Sequence, residues 1–143
     1  MKSEQALPVG YLLKQINMKC QNRMRKNLSS AKLTPAQLDL LNFLLDNKGS
    51  KITQKDIAEE FGIRHTTVIG LVKRLVAKGL VSCVVDPDNH KYRNITLTAA
   101  ASQIEEKIHD HRREMNEIFT KGLSADEVEQ LRCLLNKLRH NLE

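Results

Sequence analysis

The sequence is short of aromatic residues, with no Trp, two Tyr and three Phe. Proteins that bind single-stranded nucleic acid without sequence preference stack successive bases on aromatic side chains, so this scarcity argues against that class. No apolar run approaches the roughly 20 residues that a membrane-spanning helix needs, and residues 1–8 show no secretory pattern. We therefore expect a cytoplasmic protein with no membrane contact.

Cysteine is also scarce, and Cys20, Cys83 and Cys133 are too widely spaced for a disulfide framework. Motifs of catalysis are missing, including a glycine-rich phosphate loop and G-x-S-x-G. His109 and His111 are two residues apart on a predicted helix, so they face different sides and cannot chelate a metal together. We expect that the protein is not an enzyme and that it holds neither a cofactor nor a metal ion. A metal site built from His and Cys residues that are distant in sequence remains an alternative.

Positive charge is in excess, with a formal net charge of +6. Residues 1–50 carry eight Lys or Arg against three Asp or Glu, whereas residues 99–143 carry seven against nine. A basic surface is typical of proteins that bind nucleic acid. The distribution favours a polyanion at the first two thirds of the chain and a structural role for the remainder.

The sequence pattern of residues 53–80 predicts a helix-turn-helix, and the rest of the chain is organised around it. Thr53 and Asp56 have the spacing of a capping box, and Gly62 can take the positive φ that ends the first helix. Gly79 closes the second helix in the same way. The apolar positions of that second helix recur at i, i+3, i+4 and i+7, which predicts one buried face. They are Val68, Leu71, Val72 and Leu75.

The opposite face of the second helix is polar and basic. The stretch 64–78 contains four Lys or Arg and no acidic residue, which suits a recognition helix in a DNA major groove. The alternative is an ordinary helical hairpin with a solvated basic face. The residues that we predict to contact DNA from this helix are Arg64, His65, Thr66, Thr67, Ile69, Gly70, Lys73 and Arg74.

A β-hairpin is predicted directly after the second helix. The run 80–85 is apolar and β-branched, residues 86–89 are turn formers, and 92–97 alternates with Arg93, Ile95 and Leu97 on one face. A hairpin behind a helix-turn-helix is a wing. His90, Lys91 and Arg93 at its tip are predicted to reach the phosphate backbone or the minor groove.

Helices are predicted on both sides of this region. Pro8 suits a first helical position and precedes an amphipathic helix through residue 28, with Cys20 on its apolar stripe. A capping box at Thr34 and Gln37 starts the next helix, whose buried stripe is predicted to be formed by Leu38, Leu41, Leu44 and Leu45. Another box, at Ser124 and Glu127, starts the last helix. The fold class is therefore mainly α with a small β-hairpin wing, as one domain over 1–143.

Three segments together resemble the MarR family of bacterial transcription regulators: LTPAQLDLLNFL, ITQKDIAEEFGIRHTTVIGLVKRLVAKGLV and DPDNHKYRNITLT. The resemblance implies a winged-helix homodimer with a DNA-binding lobe at 33–98 and dimerisation helices at 8–28 and 99–142. It further implies a repressor in the bacterial cytoplasm, at the nucleoid. Such a repressor binds a pseudo-palindromic double-stranded operator and releases it on binding a small aromatic or phenolic effector. The alternatives are a redox- or metal-responsive regulator of the same fold and a winged-helix protein-interaction module.

Several positions depart from the pattern of that family. Asn89 stands where the wing usually has an Asp that orients an Arg, and Arg93 is displaced by two residues. Arg64 stands where a side chain usually caps the recognition helix, and it cannot accept that hydrogen bond. Peroxide sensors in the family use a cysteine near the start of the first helix. Because Cys20 lies later and on the apolar stripe, we expect it to pack rather than to sense.

Overall fold

The computed structural model describes residues 6–143 and is mostly helical. Its elements in chain order are α1 (Val9–Asn27), a 3-10 turn (Ser29–Ala31), α2 (Pro35–Asp46), α3 (Gln54–Phe61), α4 (His65–Ala77), β1 (Val81–Val85), β2 (Arg93–Leu97), a second 3-10 turn (Ala99–Ala101), α5 (Ser102–Thr120) and α6 (Ala125–Asn141). The chain forms two compact units, one that ends at His109 and one that comprises Asp110–Glu143.

Side-chain caps define where the helices begin, and the three predicted capping boxes are confirmed at Thr34 with Gln37, Thr53 with Asp56, and Ser124 with Glu127. In each box the cap side chain accepts from the backbone N–H three residues on, and the third residue accepts from the N–H of the cap. The prediction that Pro8 is the first helical residue was wrong. Pro8 has an extended ψ of 144° and serves as the N-cap, since its carbonyl accepts the first bonds of α1.

The core of the first unit is formed where α2, α3, α4 and the hairpin meet. Val68, Leu71, Val72 and Leu75 are all buried, as the spacing predicts. The predicted stripe of α2 needs a correction, because Leu40 is fully buried whereas Leu45 is only half-buried. α2 is enclosed on more than one side, so its buried surface is wider than a single stripe.

The hairpin is a two-stranded antiparallel sheet in which Val81 pairs with Leu97 and Val85 pairs with Arg93. Its second strand also bonds to the segment that precedes α3. Ile95 N donates to the carbonyl of Ile52 at 2.8 Å, and an isolated bridge joins Thr53 and Asn94. The backbone therefore links the wing directly to the start of the helix-turn-helix.

Large apolar side chains remain exposed on the first and last helices of the single chain. On α1 these include Val9, Leu12, Leu13 and Ile16. On α6 no residue is buried, and Leu131, Leu134 and Leu135 are exposed. Across residues 6–143, none of the helices has the length and apolar character that crossing a membrane requires.

Candidate nucleic-acid interface

The helix α4 presents the predicted recognition surface to solvent. His65, Thr66 and Thr67 are exposed in its first turn, and Lys73 and Arg74 are exposed two turns later. Between them, on the same helix, Ile69 and Gly70 are half-buried. The structure thus places all of these residues on the part of α4 that the core leaves open.

The start of α4 has no side-chain cap. Arg64 is the N-cap with an extended backbone, φ −69° and ψ 147°, and its side chain makes no capping hydrogen bond. The sequence predicts this, because a guanidinium has no acceptor. Backbone N–H groups at the positive end of a helix dipole are suited to bind phosphate oxygens.

Gly70 has no role within the folded chain that requires a glycine. A Cβ built on Gly70 would meet nothing within 4 Å, and its φ does not lie in the left-handed region. A glycine in a helix interior costs about 1 kcal/mol relative to alanine. The free protein therefore offers no packing reason for this residue, which is consistent with close approach by a ligand backbone.

The turn of the wing is ordered by Asn89. Its side-chain oxygen accepts from Lys91 N at 3.1 Å, and its carbonyl accepts from Tyr92 N at 3.0 Å. This is an Asx-turn, in which the amide oxygen accepts the backbone hydrogen bond that a carboxylate oxygen would also accept. His90 and Lys91 are held exposed at the tip as a result.

Arg93 lies elsewhere than at the tip, and this part of the prediction was wrong. It is the first residue of β2, opposite Val85. It lines a concavity of about 420 Å³ between α4 and the hairpin, together with Gln54, Ile69, Val72, Lys73, Val76 and Cys83. The register of the hairpin thus places Arg93 at the start of β2, on the same concavity as Lys73 of α4.

Within this concavity, Cys83 is half-buried and its Sγ accepts a weak hydrogen bond from Gln54 Nε2 at 3.9 Å. Lys73 and Arg93 supply positive charge to the same hollow. The concavity between the recognition helix and the wing is thus lined by two cationic side chains as well as apolar ones. The positive charge favours an anionic partner.

Sequence reasoning missed the long-range contacts of two lysines. Lys51 forms ion pairs with Asp88 at 2.8 Å and Asp86 at 3.5 Å, in the turn of the wing. Lys78, at the end of α4, donates to Gln37 in α2. Each of these contacts spans more than 30 residues of sequence, so no local pattern could have indicated it.

The cysteine and histidine candidates lie on α1 and α5. Cys20 is half-buried on α1, and burial raises the pKa of its thiol, which disfavours the thiolate. His109 Nε2 lies 3.4 Å from Glu105 Oε1. His111 is buried, and desolvation lowers its pKa. In the part of the chain that the structure describes, no three His, Cys, Asp or Glu side chains are grouped as metal ligands.

Comparison with known proteins agrees with this geometry. The MarR family profile matches residues 31–91. The multiple antibiotic resistance protein MarR of Escherichia coli (strain K12) is 27% identical over 133 residues, which cover 92% of this chain and 91% of that protein. The HTH-type transcriptional regulator YybA of Bacillus subtilis (strain 168) is 25% identical over 111 residues, 78% of this chain and 73% of that protein.

Among solved structures, the S. aureus MepR–DNA complex superposes with a TM-score of 0.88 at 26% identity, covering 99% of this chain and all of that one. The fold and the exposed basic helix define a winged helix-turn-helix protein that binds DNA. The helix order, the family profile and the relatives specify it further. Residues 31–91 match the MarR family, and the chain is a sequence-specific DNA-binding transcription regulator similar to members of that family.

Proposed function

We propose that two copies of this chain bind a pseudo-palindromic operator as a repressor, and that a small aromatic or phenolic effector releases them. The observation that carries the DNA-binding part is the exposed, acid-free face of α4. In this proposal the chain acts by binding rather than catalysis, in the cytoplasm at the nucleoid, and 1–143 functions as one domain with the lobe and dimerisation helices predicted above.

The contacts divide by chemistry. His65, Thr66 and Thr67 lie in the first turn of α4, the part of a recognition helix that meets base edges, and Ile69 offers an apolar contact for a thymine methyl group. Lys73 and Arg74, together with the uncapped start of the helix at Arg64, bind phosphate. His90 and Lys91 extend the contact from the wing, and Arg93 does so from the concavity.

Dimerisation is supported by the exposed leucines of α6 and the exposed apolar residues of α1. An apolar patch of this kind on a soluble protein marks an interaction surface. A single helix-turn-helix contacts few bases, whereas two copies would read half-sites about 34–36 Å apart. The proposal of an effector rests on the similarity to the MarR family, in which release of DNA by small ligands is typical.

The test is to select duplexes from random DNA with the full chain and to measure affinity across salt concentration. We expect selected sites with two-fold related halves. With about six to ten phosphate contacts, affinity should fall about 10³- to 10⁵-fold between about 50 and 200 mM salt. A flat salt response would contradict the proposal, as would sites without two related halves. Candidate aromatic acids and phenols are then screened for release of the selected duplex.

A further inference from the structure

Three charged groups meet beside the turn of the wing. Lys51 Nζ lies 2.8 Å from Asp88 Oδ2 and 3.5 Å from Asp86 Oδ1. Lys51 belongs to the segment before α3, whereas both carboxylates belong to the turn that follows β1. One ammonium therefore bridges the start of the helix-turn-helix and the wing.

Of the three charged groups, the Asp86 carboxylate is the most firmly held. Asp86 is only 7% exposed, and its Oδ1 accepts a hydrogen bond from Asp88 N at 2.8 Å. That backbone hydrogen bond is the main reason why the pKa of Asp86 is lowered, with smaller contributions from Asn94 and Lys51. Asp86 N in turn donates to the carbonyl of Tyr92 at 2.9 Å, which closes the turn.

The backbone beside Lys51 is bonded to both elements, because Ile52 accepts a hydrogen bond from Ile95 of β2 and Thr53 caps α3. The Lys51 side chain adds a second link, from this segment to the turn that follows β1. Lys51 therefore connects the start of the helix-turn-helix to the turn end of the hairpin.

The charges make Lys51 a poor phosphate ligand. Asp88 and Asp86 each raise its pKa, so the ammonium is charged but already neutralised by two carboxylates. Asp88 has an 80% exposed side chain two residues from His90, where a bare carboxylate would repel DNA. Lys51 offsets that repulsion while it fixes the turn.

We propose that Lys51 is a positioning residue, which sets the wing at its working angle to α4 and screens Asp88, without itself contacting DNA. The inference rests on the proposed DNA-binding function, because the wing has to be held against a duplex for its angle to matter.

The test compares Lys51→Met with a matched control, Lys55→Met, in the full chain. Lys55 is similarly exposed and also ion-paired, to Glu59 at 3.9 Å, but its pair lies within α3. Two readouts are measured: backbone amide exchange of Asp88 and Tyr92 in the free protein, and affinity for the selected duplex against salt. Lys51→Arg serves as the conservative variant.

We expect Lys51→Met to speed amide exchange at Asp88 and Tyr92 and to weaken duplex binding about 3- to 10-fold, which is the range of one partly exposed charged hydrogen bond. The salt slope should not fall by the roughly 0.9 that a lost phosphate contact removes. Lys51→Arg should retain both properties. The control should leave wing exchange unchanged.

Two results would overturn the inference. One is a drop in salt slope with unchanged wing exchange, which would make Lys51 a phosphate contact. The other is no effect on either readout. If the native chain binds no duplex, the proposed function fails instead, whereas the exchange comparison still decides whether Lys51 orders the wing.

Discussion

The ammonium of Lys78 lies 2.8 Å from the side-chain oxygen of Gln37 and so joins the end of α4 to the first turn of α2. Lys78 also donates to the carbonyl of Lys32 in the preceding loop. Gln37 is buried, and its oxygen accepts from Thr34 N at 3.2 Å as well. One side chain thus fixes the recognition helix to two other segments.

Lys78→Met should lower the free energy of unfolding by about 1 kcal/mol. A hydrogen bond to a charged group contributes about 1.5–3 kcal/mol, and the exposure of Lys78 reduces that value. Urea unfolding measures the change. Lys73→Met on the same helix should stay within about 0.5 kcal/mol of the native chain. Equal stability of the two variants would mean that the Gln37 bond contributes nothing.

Thr66→Ala and Lys91→Ala should impair DNA binding in different ways. Loss of a base contact at Thr66 should relax sequence preference and cost about 1–3 kcal/mol on the selected duplex. Lys91→Ala should weaken selected and scrambled duplexes alike and lower the salt slope by about one per contact. Binding to both duplexes at three salt concentrations separates the outcomes. The reverse pattern would make the wing the main reader of sequence.

Gly70→Ala should separate stability from binding. Because a Cβ at Gly70 meets nothing in the free chain, alanine should stabilise the protein by up to about 1 kcal/mol. The same methyl group should weaken DNA binding if the backbone of α4 approaches the duplex there. Unfolding and binding are measured on the one variant. A gain in stability with undiminished affinity would show that Gly70 is a neutral surface position.

Deletion of residues 124–143 should yield monomers or aggregates with little operator binding, because it removes the exposed leucine face of α6. The single substitution Leu134→Asp tests the same surface without removing the helix, and Lys137→Asp is the matched control on that helix. Sedimentation should detect dissociation only for the leucine variant. A dimer that survives the deletion and still binds DNA would refute the role of this helix.

Cys20 should be dispensable for release from DNA. Burial raises the pKa of its thiol, so the reactive thiolate is a smaller fraction near neutral pH than for an ordinary cysteine. Cys20→Ser should bind the duplex and respond to the effector as the native chain does, and mild peroxide should release neither. Release of the native chain but not of Cys20→Ser would establish Cys20 as a redox sensor.

The parts of the fold that the sequence predicts are those set by local chemistry. The capping box at Thr53 and Asp56 and the positive φ of Gly62 involve residues at most three apart, and both are confirmed. Helix periodicity likewise predicts the buried face of α4, because the spacing of Val68 and Leu75 alone decides which side meets the core.

Contacts between residues that are distant in sequence could not be predicted from the sequence. Leu40 lies off the apparent stripe of α2 and is buried only because α2 is enclosed by several neighbours. Arg93 is displaced from the tip by the strand register with Val85. Lys51 lies in a polar linker like many others, and its role depends on where the chain returns some 37 residues later.

The apolar faces left open on α1 and α6 also bear on how the regulator responds to its own abundance. If each operator needs two chains, occupancy below the dimer dissociation constant rises with the square of chain concentration, since assembly and binding are linked by mass action. A modest change in synthesis or turnover would then shift promoter activity more steeply than a monomeric regulator could. Leu131, Leu134 and Leu135 would thereby set the dosage threshold of a genetic switch, although they lie far along the chain from the residues of α4.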